Sequence, residues 1–306
     1  MRIAAIDIGT NTILLLVADV APDGSLTIVH DEQVIARMGK GVDAERRILP
    51  ETMDRVAGFL SVYKTTCDRL QVDRITAAGT SALRDAQNKE AFIAAMKERT
   101  GIAIEVLSGE DEALWTYRGG ISEFLPHDGL FSVVDIGGGS TEVIIGDASS
   151  VHQKVSMDIG SVRLTERFLK NSPPEPDELM ATYDHILSTL KQKIPPGIKG
   201  TRAIGVAGTV TTIAAMTLGL KVYDRTKVSG HRFDAADTGR QFAWLKDRTA
   251  SQIVSPLIPA GRADILLAGT MVLMGYLEVT GLAGLTASDR GLRYGLVYRS
   301  RELSGQ

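Results

Sequence analysis

Cysteine is nearly missing from this 306-residue chain: Cys67 stands alone, so neither an internal disulfide nor a zinc cluster of thiolates can form. That points to a reducing compartment, with the cytoplasm as the expected location. Aromatic residues amount to 5%, and Trp115 and Trp244 lack the basic interleaving of single-strand nucleic-acid platforms. Long apolar runs are missing too. The longest early one, 13–18, falls far short of the ~20 residues that cross a bilayer. The apolar start Ile3-Ala4-Ala5-Ile6 is cut by Asp7 where a secretory signal would continue. Charge of one sign is scarce: the formal net charge is −3, which gives no basic field for nucleic acid or an anionic membrane. Neither is expected as a partner, and a polyanionic ligand has to be held by local geometry.

What the chain does have is a repeat. Residues 2–20 read RIAAIDIGTNTILLLVADV and residues 130–148 read LFSVVDIGGGSTEVIIGDA. Each is a β-rich run ending in Asp-Ile-Gly, a small polar turn, and a second β-rich run. The register holds without a gap, matching Asp7 with Asp135, Gly9 with Gly137 and Thr12 with Ser140. Two related halves predict two similarly built domains with a cleft between them, divided near 121–122.

Between and after the repeats, helix and strand alternate. Pro50 opens a helix with Met53, Val56, Ala57, Leu60, Tyr63 and Leu70 on one face. Strands are predicted at 74–78, 102–107, 203–206 and 285–287. Helices are predicted at 90–99 with Gly101 closing it, near 163–169, up to about 193, at 209–218, at 263–279 and from about 291. The fold class is α/β with mixed sheets. Cys67, on the helix that Pro50 opens, reads as a small buried hydrophobe.

Three turns rich in glycine and hydroxyl residues carry the chemistry: Gly9, Thr10, Asn11 and Thr12; Gly137, Gly138, Gly139 and Ser140; and the stretch 205–212 with Gly208 and Thr209. Glycine lets main-chain N–H groups converge on an anion, and hydroxyls add donors. The third turn runs from strand to helix, where the positive end of the helix dipole adds to them. A phosphate-binding site is the expectation. Asp135 and Glu142 flank the second turn, so a hairpin can aim both at one spot as hard oxygen ligands for Mg²⁺; hydrogen bonding to turn N–H groups is the other role such residues take. Glu110, Asp111 and Glu112 form an acidic cluster, in which mutual repulsion can raise one pKa. Spacing alone leaves it open whether they form a reactive site or a solvated first helical turn.

These motifs resemble, over nearly the whole length, the exopolyphosphatase / guanosine pentaphosphate phosphohydrolase family in its short two-domain form. The residues are DIGTNT at 7–12, RMGKGV at 37–42, GTSALRDA at 79–86, SGEDEA at 108–113, DIGGGSTE at 135–142, GVAGTVTT at 205–212, VSGHRF at 228–233 and SDRGLRYG at 288–295. The resemblance implies two ribonuclease-H-like domains of the actin-like ATPase superfamily, with the terminal helix from about 293 packing back on the first. It implies Glu112 as general base, Arg84 on the transferring phosphoryl group, and Arg37 on the next phosphate. It implies Mg²⁺ or another divalent cation at Asp135 and Glu142, with Asp7 joining through a water. Three positions depart from the family pattern. Leu14 stands where a basic residue or His is common, Leu114 where Arg is usual, and Ala207 where the third loop has Gly, a change expected to matter little.

The implied activity is release of terminal orthophosphate from inorganic polyphosphate. Hydrolysis of guanosine pentaphosphate is the alternative within the family. A non-catalytic sensor of guanosine tetraphosphate and an ATP-dependent kinase are alternatives of other classes. A homodimer is the default assembly. A long polyanion also needs a basic track, for which Lys154, Arg163, Lys170, Lys191, Lys193, Lys199 and Arg202 are candidates if they share a face.

Overall fold

A computed structural model describes residues 1–304. In chain order the first elements are β1 (Arg2–Ile8), β2 (Thr12–Val20), β3 (Leu26–Ile35), α1 (Val42–Glu45), α2 (Pro50–Arg69), β4 (Arg74–Gly79), α3 (Ser81–Asp85), α4 (Lys89–Thr100), β5 (Ile104–Val106) and α5 (Gly109–Ile121). Then come β6 (Phe131–Ile136), β7 (Thr141–Gly146), β8 (Val151–Met157), α6 (Ser161–Phe168), α7 (Pro176–Lys193), β9 (Arg202–Val206), α8 (Ala207–Thr217) and α9 (Arg225–Val228). The chain continues through β10 (Arg232–Asp234), α10 (Ala235–Lys246), α11 (Ala250–Ile253), α12 (Ala260–Ala263), α13 (Leu266–Thr280), β11 (Gly284–Ala287) and α14 (Leu292–Ser304). Two compact units result. Unit 1 holds Met1–Gly119 and the stretch from Leu292 onward; unit 2 is Gly120–Gly291.

Unit 1 is built on a five-stranded sheet in the order β3-β2-β1-β4-β5. The first three strands are antiparallel neighbours, whereas β4 and β5 run parallel to β1. Side chains alternate across β1, because successive Cβ atoms point to opposite faces. Ala4, Ile6 and Ile8 pack with Val56, Leu60 and Tyr63 of α2 and Phe92 and Met96 of α4. Ile3 and Ala5 pack on the other side with Trp115 of α5 and Tyr294, Leu296 and Val297 of α14. Gly295 is required there, since a Cβ on it would stand 1.9 Å from the Trp115 carbonyl oxygen. Cys67 is 1% exposed, and burial pushes its thiol up to about 11.

Unit 2 repeats the plan in the order β10-β11-β9-β6-β7-β8. Here β6, β7 and β8 are the antiparallel set, β9 and β11 are parallel to β6, and β10 closes the edge antiparallel to β11. Its core joins Val134, Ile136, Val143 and Ile145 to Leu164, Ile186, Leu190, Ile213 and the apolar face of α13. The sequence predicts two mixed-sheet α/β halves, and each unit has the strand order of the ribonuclease-H-like fold.

Local differences have local causes. The helix predicted at 263–279 is two pieces, α12 and α13, because Asp264 and Ile265 interrupt it. The helix expected near 163 starts at Ser161. The strands β3, β8 and β10 carry no apolar run, since β3 and β8 lie at sheet edges and β3 is half-buried along its length. Helix α4 does end as predicted, with Gly101 at φ 73 and its N–H donating to the Lys97 carbonyl at 2.9 Å.

Candidate active site

The two repeated hairpins close alike. The Gly9 N–H donates to the Thr12 carbonyl at 3.0 Å, and the Gly137 N–H donates to the Ser140 carbonyl at 3.0 Å. In both units the turn sits at the carboxyl end of the first strand, the edge where α/β sheets receive ligands. In unit 1, Ile8 pairs with Gly79 and Gly79 with Val106, so the segments after β1, β4 and β5 share that edge. In unit 2, Asp135 pairs with Val206 and Gly205 with Ala287, which gathers the segments after β6, β9 and β11 in the same way.

In unit 1 the loop after β3 backs the first turn. Arg37 N–H donates to the Asn11 carbonyl and Gly39 N–H to the Thr10 carbonyl, each at 2.8 Å. Gly39 has to be glycine, because a Cβ would lie 2.2 Å from Thr10 Cγ2. Arg37 is held at φ 50, a left-handed conformation that costs a non-glycine residue about 1–3 kcal/mol and concentrates at functional sites. Thr10 and Asn11 are buried.

Arg84, on α3, and Glu112, on α5, meet directly. Arg84 Nη1 donates to Glu112 Oε2 and, at 3.2 Å, to the Leu107 carbonyl. The side chains are 23% and 10% exposed, so the pair is largely withdrawn from water while part of the guanidinium still reaches it. The acidic cluster separates at this point. Asp111 is exposed and is held by the residue that caps α5: Ser108 Oγ accepts from the Asp111 N–H at 3.0 Å and donates to its carboxylate at 2.8 Å. Glu110 is exposed as well. The expectation that repulsion among the three acids tunes one of them is therefore corrected: burial raises the Glu112 carboxyl above the ordinary range, and Arg84 opposes that rise.

In unit 2, Asp135 and Glu142 are direct cross-strand partners, which puts both side chains on one face, roughly 5 Å apart at Cβ. Glu142 is 1% exposed and accepts from Ser156 Oγ at 2.6 Å. Asp7 has Leu14 opposite it, so unit 1 has no second carboxylate at the equivalent place. Among the described residues no three His, Cys, Asp or Glu side chains converge on a metal-sized spot. Two hard carboxylates suit Mg²⁺, which keeps waters and takes other oxygens from a substrate. They do not suit an all-protein cage.

The third turn enters α8. Ala207 sits at φ 69, so the departure from glycine matters more than expected: the methyl group carries left-handed strain. Thr211 and Thr212 hydroxyls donate back to the Ala207 and Gly208 carbonyls at 2.9 and 2.6 Å. They are thus turned to the helix. One residue here escapes sequence reasoning. Arg262 is 9% exposed, donates to Thr212 Oγ1 at 3.1 Å, and covers Gly208 so closely that a Cβ there would stand 3.0 Å from Nη2. Burial lowers its pKa, against Tyr223 and Asp289, which raise it. The only sequence signal was an arginine just ahead of an apolar helix.

Of the candidates for a basic track, Arg163 is drawn inside, at 5% exposure, whereas Arg202 is exposed with its guanidinium over Phe124 and Phe131 at 4.6 and 5.9 Å.

Comparison with known proteins gives a consistent picture. Residues 16–303 match the model of the Ppx/GppA phosphatase family. Exopolyphosphatase 2 of Mycobacterium tuberculosis is 35% identical, covering 96% of this chain and 97% of that protein. The solved structure of an exopolyphosphatase from Cytophaga hutchinsonii superposes with a TM-score of 0.89 at 28% identity, covering 99% of this chain and 98% of that one. The guanosine-5'-triphosphate,3'-diphosphate pyrophosphatase of Photobacterium profundum is 27% identical over 96% of this chain but 58% of its own length.

Proposed function

The chain belongs to the Ppx/GppA phosphatase family, and from that membership we propose that it is an exopolyphosphatase, hydrolysing the terminal phosphoanhydride of inorganic polyphosphate. The observation that carries this reading is the Arg84–Glu112 pair, its carboxylate buried, at the carboxyl edge of the unit 1 sheet. A carboxylate withdrawn from water and oriented by a guanidinium is suited to take a proton from an attacking water. The arginine beside it is suited to the charge that spreads over the phosphoryl oxygens. As the new O–P bond forms, Glu112 accepts the water's proton, and the bridging oxygen departs with the shortened chain. Arg84 stabilises the equatorial oxygens, with Arg37 and the turn 9–12 holding the neighbouring phosphate.

In unit 2 the N–H groups of the turn 137–140 and of Gly208 and Thr209 take phosphoryl oxygens. Asp135 and Glu142 would hold Mg²⁺, which supplies charge neutralisation to the phosphate oxygens when bound. The lone buried Cys67 supports a reducing, cytoplasmic setting. No helix among the described residues is long and apolar enough to cross a membrane.

The relative named exopolyphosphatase is 35% identical to this chain and the pyrophosphatase relative 27%, and the higher identity favours polyphosphate over guanosine pentaphosphate. Phosphate release measured in parallel from long-chain polyphosphate, tripolyphosphate and guanosine pentaphosphate tests the reading. Higher kcat/KM on polyphosphate is expected, and turnover of the nucleotide alone would replace polyphosphate by pentaphosphate as the substrate.

A further inference from the structure

The carbonyls of the turn 137–140 are taken up from one side, by the start of α6. Ser161 N–H donates to the Gly137 carbonyl at 2.9 Å, and Val162 and Arg163 N–H donate to the Gly138 carbonyl at 2.8 and 3.1 Å. Arg163 Nε donates to the Gly139 carbonyl at 2.7 Å. Across a trans peptide the C=O and the following N–H point in opposite directions. The N–H groups of Gly138, Gly139 and Ser140 are therefore turned away from α6 together, which is the geometry of an anion-binding nest.

Main-chain donors fix the first two peptides of that nest. The third, between Gly139 and Ser140, is fixed by a side chain. The guanidinium of Arg163 is 5% exposed on its side-chain atoms and lies 3.8 Å from Asp158, itself 80% exposed. It stands in the first turn of α6, where the helix dipole disfavours a cation. The backing loop of unit 1 differs, because there main-chain N–H groups of Arg37 and Gly39 hold the equivalent turn.

We propose that Arg163 is a positioning residue for phosphate binding: by holding the Gly139 carbonyl from behind, it aims the Ser140 N–H at a phosphoryl oxygen of the substrate. It sits on the far side of the turn from the outward N–H groups and touches no reacting atom. This inference rests on the phosphohydrolase reading.

Steady-state hydrolysis of tripolyphosphate by the full chain, with calorimetric binding of tripolyphosphate alongside, tests it in wild type and in Arg163→Met. Loss of one charged hydrogen bond that aims a donor predicts a KM and a dissociation constant raised about 10- to 100-fold, with kcat changed far less. Arg163→Lys, which returns a single donor, is expected to recover part of the affinity. A purely structural arginine would instead lower the thermal midpoint and scale kcat with the folded fraction at an unchanged KM, and that result overturns the inference. Should Arg163→Met fail to fold, Arg163→Gln decides by the same comparison, an unchanged KM again overturning it. Wild-type protein that neither binds nor hydrolyses tripolyphosphate removes the reading itself, whereas an active wild type with an indifferent variant removes the inference alone.

Discussion

Arg84 and Glu112, 28 residues apart in sequence, are joined by a hydrogen bond from Nη1 to Oε2. Burial and pairing act on this carboxylate in opposite directions. Burial favours the neutral acid, and the guanidinium favours the ion.

Glu112→Gln removes the proton acceptor with little change of shape. Its kcat on polyphosphate is expected to fall about 10²–10⁴-fold, while KM stays near the wild-type value. A variant that retains wild-type turnover in a phosphate-release assay would refute the assignment of the base.

Arg84→Met leaves burial unopposed, so the Glu112 carboxyl rises further. A larger fraction is then protonated at a given pH within the titration range, and the acid limb of residual kcat/KM moves to higher pH. Arg84→Lys, which keeps a positive charge, should hold the limb closer to the wild-type position. pH profiles of the three proteins check the order, and a Met variant whose limb moves toward acid contradicts it.

Asp135→Asn takes a charge from the two-carboxylate pair opposite Glu142. The Mg²⁺ concentration for half-maximal activity is expected to rise about tenfold, a loss on the scale of one charge-assisted contact. Titrating Mg²⁺ into chelator-treated wild type and variant provides the measurement, and coincident curves would remove Asp135 from the metal site.

Gly160→Ala should damage the second phosphate turn. Its Cβ would fall 2.3 Å from the Gly138 carbonyl oxygen, so the turn must move. Overpacking of this kind costs about 1–3 kcal/mol. A lower thermal midpoint accompanied by weaker phosphate binding is expected; a variant with wild-type values in both would show that the turn has room.

Ala207→Gly runs the other way. Relief of a left-handed alanine returns about 1–2 kcal/mol, partly offset by the greater freedom of glycine in the unfolded chain, about 0.5–1 kcal/mol. A small gain in unfolding free energy by denaturant titration is the expected result, and a clear loss would mean that the methyl group packs usefully.

The repeat made the fold legible. Asp7 matching Asp135 and Gly9 matching Gly137 predicted two hairpins of one design, and both close through the same bond. Of the candidate site, the family resemblance names Arg84 and Glu112 separately, and the structure places them in contact. Two kinds of information lay outside the pattern. The sorting of Glu110, Asp111 and Glu112 into exposed and buried depends on what packs over α5, which no spacing reveals. The roles of Arg163 and Arg262 depend on a carbonyl and a hydroxyl from other segments, Gly139 and Thr212. A lone arginine carries no local trace of such a partner.

Helix α14 covers the face of the unit 1 sheet that Ile3 and Ala5 present, yet all of unit 2 precedes it in the chain. During synthesis that side of the unit 1 sheet therefore has only α5 against it, and the part that α14 covers stays open until the whole of the other unit has been made. Unit 2 can complete its own core on the ribosome. The first-made half is the last to be sealed, which makes it the half most dependent on protection against premature association.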